Sequence, residues 1–330
     1  MNIRKLLWDA AAVGHKKALP ILSFPAAQKL GVSVETLVQS AELQARAMEI
    51  IANDTTTIAA VSLMDLSVEA EAFGAQVRFN ADEVPAIIGQ LVSDEDEAND
   101  LVVPDMSAGR ASLCVEAVRR AKSAIANKPV IAGMIGPYSL AGRLMDVTEI
   151  MYLCFDEPET VHTVLDKACT YLIRYGQAMK AAGADGVMVA EPLTGILSPD
   201  MAEEFSMPYM QRIIDALQDE DFAVIYHNCG NSVPQMLESL YAMGAAAYHF
   251  GNAIDMEAVM KATPDNILVM GNIDPAGEFA SGTVESITAT TRELLDKCGR
   301  YANFVPSSGC DIPAHAKWEN IQAFFQAVEG

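Results

Sequence analysis

Eight short apolar runs alternate with longer amphipathic stretches along this chain, and that alternation constrains the fold more than any other feature. The runs cover residues 18–24, 56–63, 130–136, 186–192, 223–230, 245–251, 267–273 and 302–310. Most are apolar throughout rather than alternating, so both faces of each strand must be buried. Between them, residues 158–182, 198–217, 232–243 and 284–298 carry apolar side chains at helical spacing. Strands buried on both faces and separated by helices make a parallel α/β sheet. Eight such units in 330 residues predict a closed (β/α)8 TIM barrel. Residues up to about 54 read as largely helical, an N-terminal extension of the barrel, and a small hairpin is expected near residues 74–79. No internal repeat, low-complexity segment or Pro/Gly/Ser-rich linker divides the chain. One domain spanning residues 1–330 is expected. Gly183, Gly244 and Gly299 follow helical stretches and are expected to supply left-handed caps.

Hydrophobic residues make up 51% of the chain, enough for a large core, yet no apolar run approaches the length of a membrane span. The opening MNIRKLLWDAAAVGHKK lacks a signal-peptide pattern, because Asp9 interrupts its short apolar stretch. A soluble, cytoplasmic protein with no membrane partner is expected. The formal charge of −22 and the lack of a basic stripe exclude nucleic acid as a partner. The acidic run Ser93-Asp94-Glu95-Asp96-Glu97 reads as a solvated loop. The six cysteines read as thiols or ligands rather than a disulfide framework.

The chemistry is concentrated in VIYHNCGN, residues 224–231. Side chains two apart on a strand share a face, so His227 and Cys229 point together toward the C-terminal end of the fifth run. Active sites of (β/α)8 barrels are built at that end. The eighth run ends in Gly309-Cys310, which brings Cys310 to the same mouth. One imidazole and two thiolates suit Zn²⁺, and three protein ligands leave a fourth position open, as in catalytic sites. The alternative is two unrelated buried cysteines and a hydrogen-bonded core histidine. Two thiolates cancel the metal charge, which makes water hydrolysis the less natural job. A substrate thiol is the better fourth ligand, and alkyl transfer to its sulfur is the chemistry that follows.

H-x-C followed about eighty positions later by Cys resembles the zinc signature of cobalamin-dependent thiol methyltransferases. The wider chain resembles the uroporphyrinogen decarboxylase superfamily. The similarity runs through MDLSVEAEAFG (64–74), GPYSLA (136–141), AGADG (182–186), LSP (197–199), MPY (207–209), GNIDP (271–275) and the ending around Ile312-Pro313 and Glu319-Asn320-Ile321. Two branches compete. The decarboxylase uses no cofactor and carries an N-terminal arginine motif of the form RQAGR for its polycarboxylate substrate. Here the matching segment reads SFPAAQKLG (23–31), without arginine. The other branch is similar to methylcobalamin:coenzyme M methyltransferase, with His227, Cys229 and Cys310 matching its zinc ligands. That resemblance implies Zn²⁺ as cofactor, a methylated corrinoid (cobalamin) on a corrinoid protein as methyl donor, and a small thiol such as coenzyme M as acceptor. A non-catalytic homologue that binds a corrinoid protein is a third reading.

Four further residues are candidates. Glu191, at the end of the fourth run, is a possible base for the thiol proton or an occupant of the open metal position; a rim salt bridge is its plain alternative. Asp274 in GNIDP either orients His227 or makes an Asx-turn before Pro275. His249, ending the sixth run, is a corrinoid or His227 contact, or a satisfied core histidine. Arg143 is the expected fork for a sulfonate or carboxylate on the acceptor, or one half of a surface ion pair. The sequence does not set the oligomeric state.

Overall fold

The computed structural model describes residues 2–330. Its strands, in chain order, are β1 (Ala60–Val61), β2 (Gln76–Arg78), β3 (Ala86–Ile88), β4 (Val130–Ile135), β5 (Gly186–Ala190), β6 (Ala223–Asn228), β7 (Ala247–Phe250), β8 (Val269–Ile273) and β9 (Phe304–Ser308). β2 and β3 form the small antiparallel hairpin, with its turn beyond the expected position. The other seven lie side by side in chain order, all parallel, and curl into an α/β TIM-barrel fold.

The eighth stave is irregular. Residues 18–24 were expected to form a strand, but Pro20 has no N–H to donate to a ladder. The segment closes the barrel through single contacts instead. Ile58 N–H donates to Ala18 C=O (3.1 Å), Leu19 N–H to Pro306 C=O (3.2 Å) and Ile21 N–H to Ser308 Oγ (3.0 Å). Residues 18–21 thus bridge β9 and the start of β1.

Strand alternation sorts the apolar side chains into two cores. Val61, Ile131, Met188, Ala190, Ile225, Met270 and Val305 fill the barrel. Val130, Val187, Val224, Tyr226, Tyr248 and Phe250 pack outward beneath the helices. The helix Ile3–Ala10 closes the N-terminal end of the barrel: Ile3, Leu7 and Ala10 are buried in the same cluster as Ala223 and Ala247, which begin β6 and β7. Its first turn is capped by the Asn2 side chain, which accepts from Lys5 N–H (2.8 Å). The helices Ala26–Leu30, Val34–Val38 and Ala41–Asp54 complete the expected N-terminal addition.

The outer helices follow the sequence pattern with local breaks. Pro158–Ala181 and Val284–Cys298 are continuous, the latter opened by a capping box between Thr283 and Ser286. The expected helix over 198–217 divides into Pro199–Phe205 and Met207–Leu217 at Ser206, with Pro208 in the first turn of the second piece. Of the run 93–97, expected to be loop, residues 95–97 open the helix Glu95–Asp100, because the Asp94 side chain caps it at Glu97 N–H (2.9 Å). Gly183 and Gly244 do adopt positive φ, whereas Gly299 stays at −62°. No described helix is long and apolar enough to cross a membrane.

Candidate metal centre

β6 ends at Asn228, so His227 still points into the barrel and Cys229 emerges at its C-terminal mouth. Cys310 follows β9 by two residues. The ligand atoms of His227, Cys229 and Cys310 lie within 4.8 Å of one another, and His227 Nε2 is 3.5 Å from Cys310 Sγ. Tetrahedral zinc with bonds of about 2.0–2.3 Å sets its donors roughly 3.6–3.8 Å apart. The donor set fits this ion, and the His227–Cys310 separation lies close to the spacing it needs.

Glycines let the two cysteine turns come this close. A Cβ on Gly251 would stand 2.5 Å from Cys229 Cα, and one on Gly309 would stand 2.7 Å from the Asn252 nitrogen. Gly195 and Gly230 meet backbone to backbone, which seats the turn after β5 directly on the Cys229 turn.

The two thiols are electrostatically unequal. Contact with Cys310 holds the Cys229 thiol far below its ordinary range. The same contact, with burial, pushes Cys310 up. Two sulfurs and one imidazole facing one another form a donor set that a cation completes. All six cysteines are free.

A cavity of about 70 Å³ opens over the cluster. Ile21, Met64, Leu66, Ala190 and Pro192 supply its apolar wall, and Asp311 its carboxyl group. Asp311 Oδ1 is closed off from solvent without a hydrogen-bond partner, and burial raises the pKa of this group.

Beneath the cluster lies a polar chain through the barrel interior. His227 Nδ1 is 2.8 Å from His249 Nδ1, and His249 Nε2 is 2.7 Å from Ser307 Oγ. Ser307 Oγ donates to Leu19 C=O at 2.6 Å. His249 and Ser307 are fully buried. Burial, and then neighbouring His227, hold the His249 pKa well below that of a free imidazole.

The other candidate residues stand elsewhere. Glu191 is neither a base at the cavity nor a fourth ligand: Ala190 faces inward, so alternation turns Glu191 outward. It is fully buried at the start of the helix Pro137–Met145, accepting from Tyr138 N–H (2.8 Å), Ser139 N–H (3.0 Å) and Ser139 Oγ (2.7 Å). Those are the N–H groups a helix start leaves open. Burial pushes its carboxyl up to about 7, against the pull of these donors. Asp274 does not reach His227, whose Nδ1 is taken by His249; its Oδ1 accepts from Ala276 and Gly277 N–H (both 2.9 Å), the Asx-turn alternative. Arg143 sits half-buried in the last turn of Pro137–Met145 and does not line this cavity. His249 cannot touch a corrinoid over the mouth, because it is buried under His227. Ser307 and Asp311 were not singled out from the sequence. The same period-two count from Val305 would have placed Ser307 inside.

The uroporphyrinogen decarboxylase (URO-D) family profile matches residues 16–330. The chain belongs to the uroporphyrinogen decarboxylase family. Within it, the chain is 26% identical over 272 residues to the methylcobamide:CoM methyltransferase MtbA of Methanosarcina acetivorans, covering 80% of this chain and 77% of that one. It is 28% identical over 286 residues to the uroporphyrinogen decarboxylase of Hydrogenovibrio crunogenus, covering 82% and 78%. A solved methyltransferase from Methanosarcina mazei superposes with a TM-score of 0.89 over 99% of this chain and 97% of that one, at 22% identity, which establishes the shared fold. Members of the family are enzymes, and relatives of both activities stand at similar distance.

Proposed function

We propose that this chain is a zinc-dependent methyltransferase, a single barrel domain that moves a methyl group from a methylated corrinoid to a thiol. The observation that carries the reading is the His227–Cys229–Cys310 cluster, with donor spacing suited to zinc at the mouth of the barrel. The activity in the name of the Methanosarcina relative, transfer from methylcobamide to CoM, agrees with it. Zinc held there would lower the pKa of an incoming thiol, so that its sulfur remains nucleophilic at neutral pH. In the overall reaction a thiol and methyl-Co(III) corrinoid give a thioether, Co(I) corrinoid and the thiol's proton.

The residues of the chain have defined parts in this. His227, Cys229 and Cys310 hold the metal. Ile21, Met64, Leu66, Ala190 and Pro192 keep water from the sulfur. Asp311 places its carboxyl group on the same wall. The methyl donor is a corrinoid carried by a small protein, and coenzyme M is one candidate among small thiols. The decarboxylase reading has less support. Gln28 and Lys29, in the segment matching the arginine motif, are turned to other uses: Gln28 Nε2 donates to Ala314 and Ala316 C=O, and Lys29 lies over the Trp318 ring and pairs with Asp54. Among the described residues no lysine or arginine lines the cavity to receive a polycarboxylate.

The test is zinc content of purified wild type and Cys310→Ser, together with demethylation of methylcobalamin by a panel of thiols. About one zinc per chain and thiol methylation in wild type, both lost in the variant, are expected. Methyl transfer at an equal rate by zinc-free wild type would sink the proposal, and CO₂ release from uroporphyrinogen would replace it with the decarboxylase reading.

A further inference from the structure

The chain of contacts under His227 has a direction that its hydrogens dictate. Leu19 C=O can only accept, so the Ser307 hydroxyl must give its single hydrogen there, across 2.6 Å. Ser307 Oγ then meets His249 with lone pairs alone, and His249 Nε2 must carry a hydrogen to make the 2.7 Å contact. Only one hydrogen fits between the two Nδ1 atoms, 2.8 Å apart. A second hydrogen on His249 would make it an imidazolium in a fully buried place, where its side-chain partners are a hydroxyl and another imidazole and no carboxylate touches it. The shared hydrogen therefore belongs to His227 Nδ1. His227 is left with a bare lone pair on Nε2, the atom that faces Cys310 Sγ.

From this we infer that His249 and Ser307 are positioning residues, which anchor His227 to the backbone carbonyl of Leu19 and hold it in the tautomer whose Nε2 is free to bind a cation. The inference deepens the proposed zinc site and rests on His227 being a ligand. It adds two residues that touch neither metal nor substrate, and it gives the irregular segment at residues 18–21 a task beyond closing the barrel. A carboxylate or a backbone carbonyl commonly orients a ligating histidine directly. Here the carbonyl acts at a distance, through a hydroxyl and a second imidazole. The arrangement also orders the site before metal arrives, because every link lies within the barrel wall.

Two measurements test it. The first is the tautomeric state of the histidines in metal-free wild type, from long-range ¹H–¹⁵N correlation spectra of ¹⁵N-histidine-labelled protein. A hydrogen on Nδ1 of His227 and on Nε2 of His249 is expected; a hydrogen on Nε2 of His227 overturns the inference whether or not zinc binds. The second is the affinity of wild type, Ser307→Ala and Ser307→Thr for Zn²⁺ and Co²⁺ against a competing chelator. The alanine variant should lose ten- to a hundredfold while the sulfur-to-cobalt charge-transfer bands persist, and threonine, which keeps the hydroxyl, should recover most of it. Unchanged affinity in the folded alanine variant overturns the inference. Wild type that binds no metal refutes the proposed function instead, and the tautomer measurement still decides this one.

Discussion

Replacing Glu69 by glutamine isolates the cost of a carboxyl group buried beside the barrel mouth. Glu69 is 1% exposed; its Oε1 accepts from Ile135 N–H (2.9 Å) and its Oε2 has no partner. The nearby cation, Arg110, is committed to Asp65 (2.5 Å) and Glu71 (2.6 Å). Burial therefore dominates and raises the carboxyl from 4.5 to about 7, opposed by the Ile135 contact and assisted by Asp65. Between those values the folded state holds a proton that the unfolded state has released. Stability must then fall as pH rises through this window. At about 1.4 kcal/mol per pH unit, the loss across it is roughly 3–4 kcal/mol. A glutamine side chain would keep the acceptor for Ile135 and carry no charge, so Glu69→Gln escapes the loss. An unfolding entropy near 2.1 cal/mol/K per residue gives roughly 0.7 kcal/mol/K for a chain of this size. Thermal unfolding of the two proteins should therefore diverge by about 5 °C between pH 4.5 and pH 8, with the variant the more stable at the upper end. Other titrating groups are common to both and drop out of the difference. Parallel Tm curves over that range would refute the reasoning.

Other substitutions probe the scaffold around the site. Arg110→Ala strips the buried partner from Asp65, Glu71 and Ser67 and should cost about 3–5 kcal/mol in denaturant unfolding. Gly195→Ala would set a Cβ 2.5 Å from Gly230 Cα, so the Cys229 turn must shift; metal uptake should fall several-fold in a protein that still folds, read by chelator competition. Glu191→Gln turns an amide donor toward N–H and O–H donors and should cost about 1–3 kcal/mol while leaving metal content at the wild-type level. Loss of metal in that variant would contradict its placement outside the cavity.

The barrel and the meeting of His227, Cys229 and Cys310 were legible in the chain because both rest on local periodicity. Continuous apolar runs declare strands buried on both faces, and a period of two puts His227 and Cys229 on one side of β6 whatever surrounds them. A glycine before Cys310 at the last strand end completed the triad without any knowledge of contacts. Glu191 shows the limit of such reasoning. Its position at a strand end was visible, but its outward turn and its meeting with a helix start more than fifty residues earlier were not. The same holds for Asp274, whose reach toward His227 was pre-empted by His249, and for Arg143, which does not line the cavity. Pro20 signalled an imperfect strand, yet only the folded barrel shows that its neighbours close the sheet through isolated contacts with β9. The sequence by itself determined which residues could ligate a metal and at which end of the barrel they would gather. The tertiary structure alone decided which nitrogen of His227 is free to do so, because that depends on Leu19 and Ser307 arriving at one point from opposite ends of the chain, and hydrogen bonds between distant segments leave no periodic mark in the sequence.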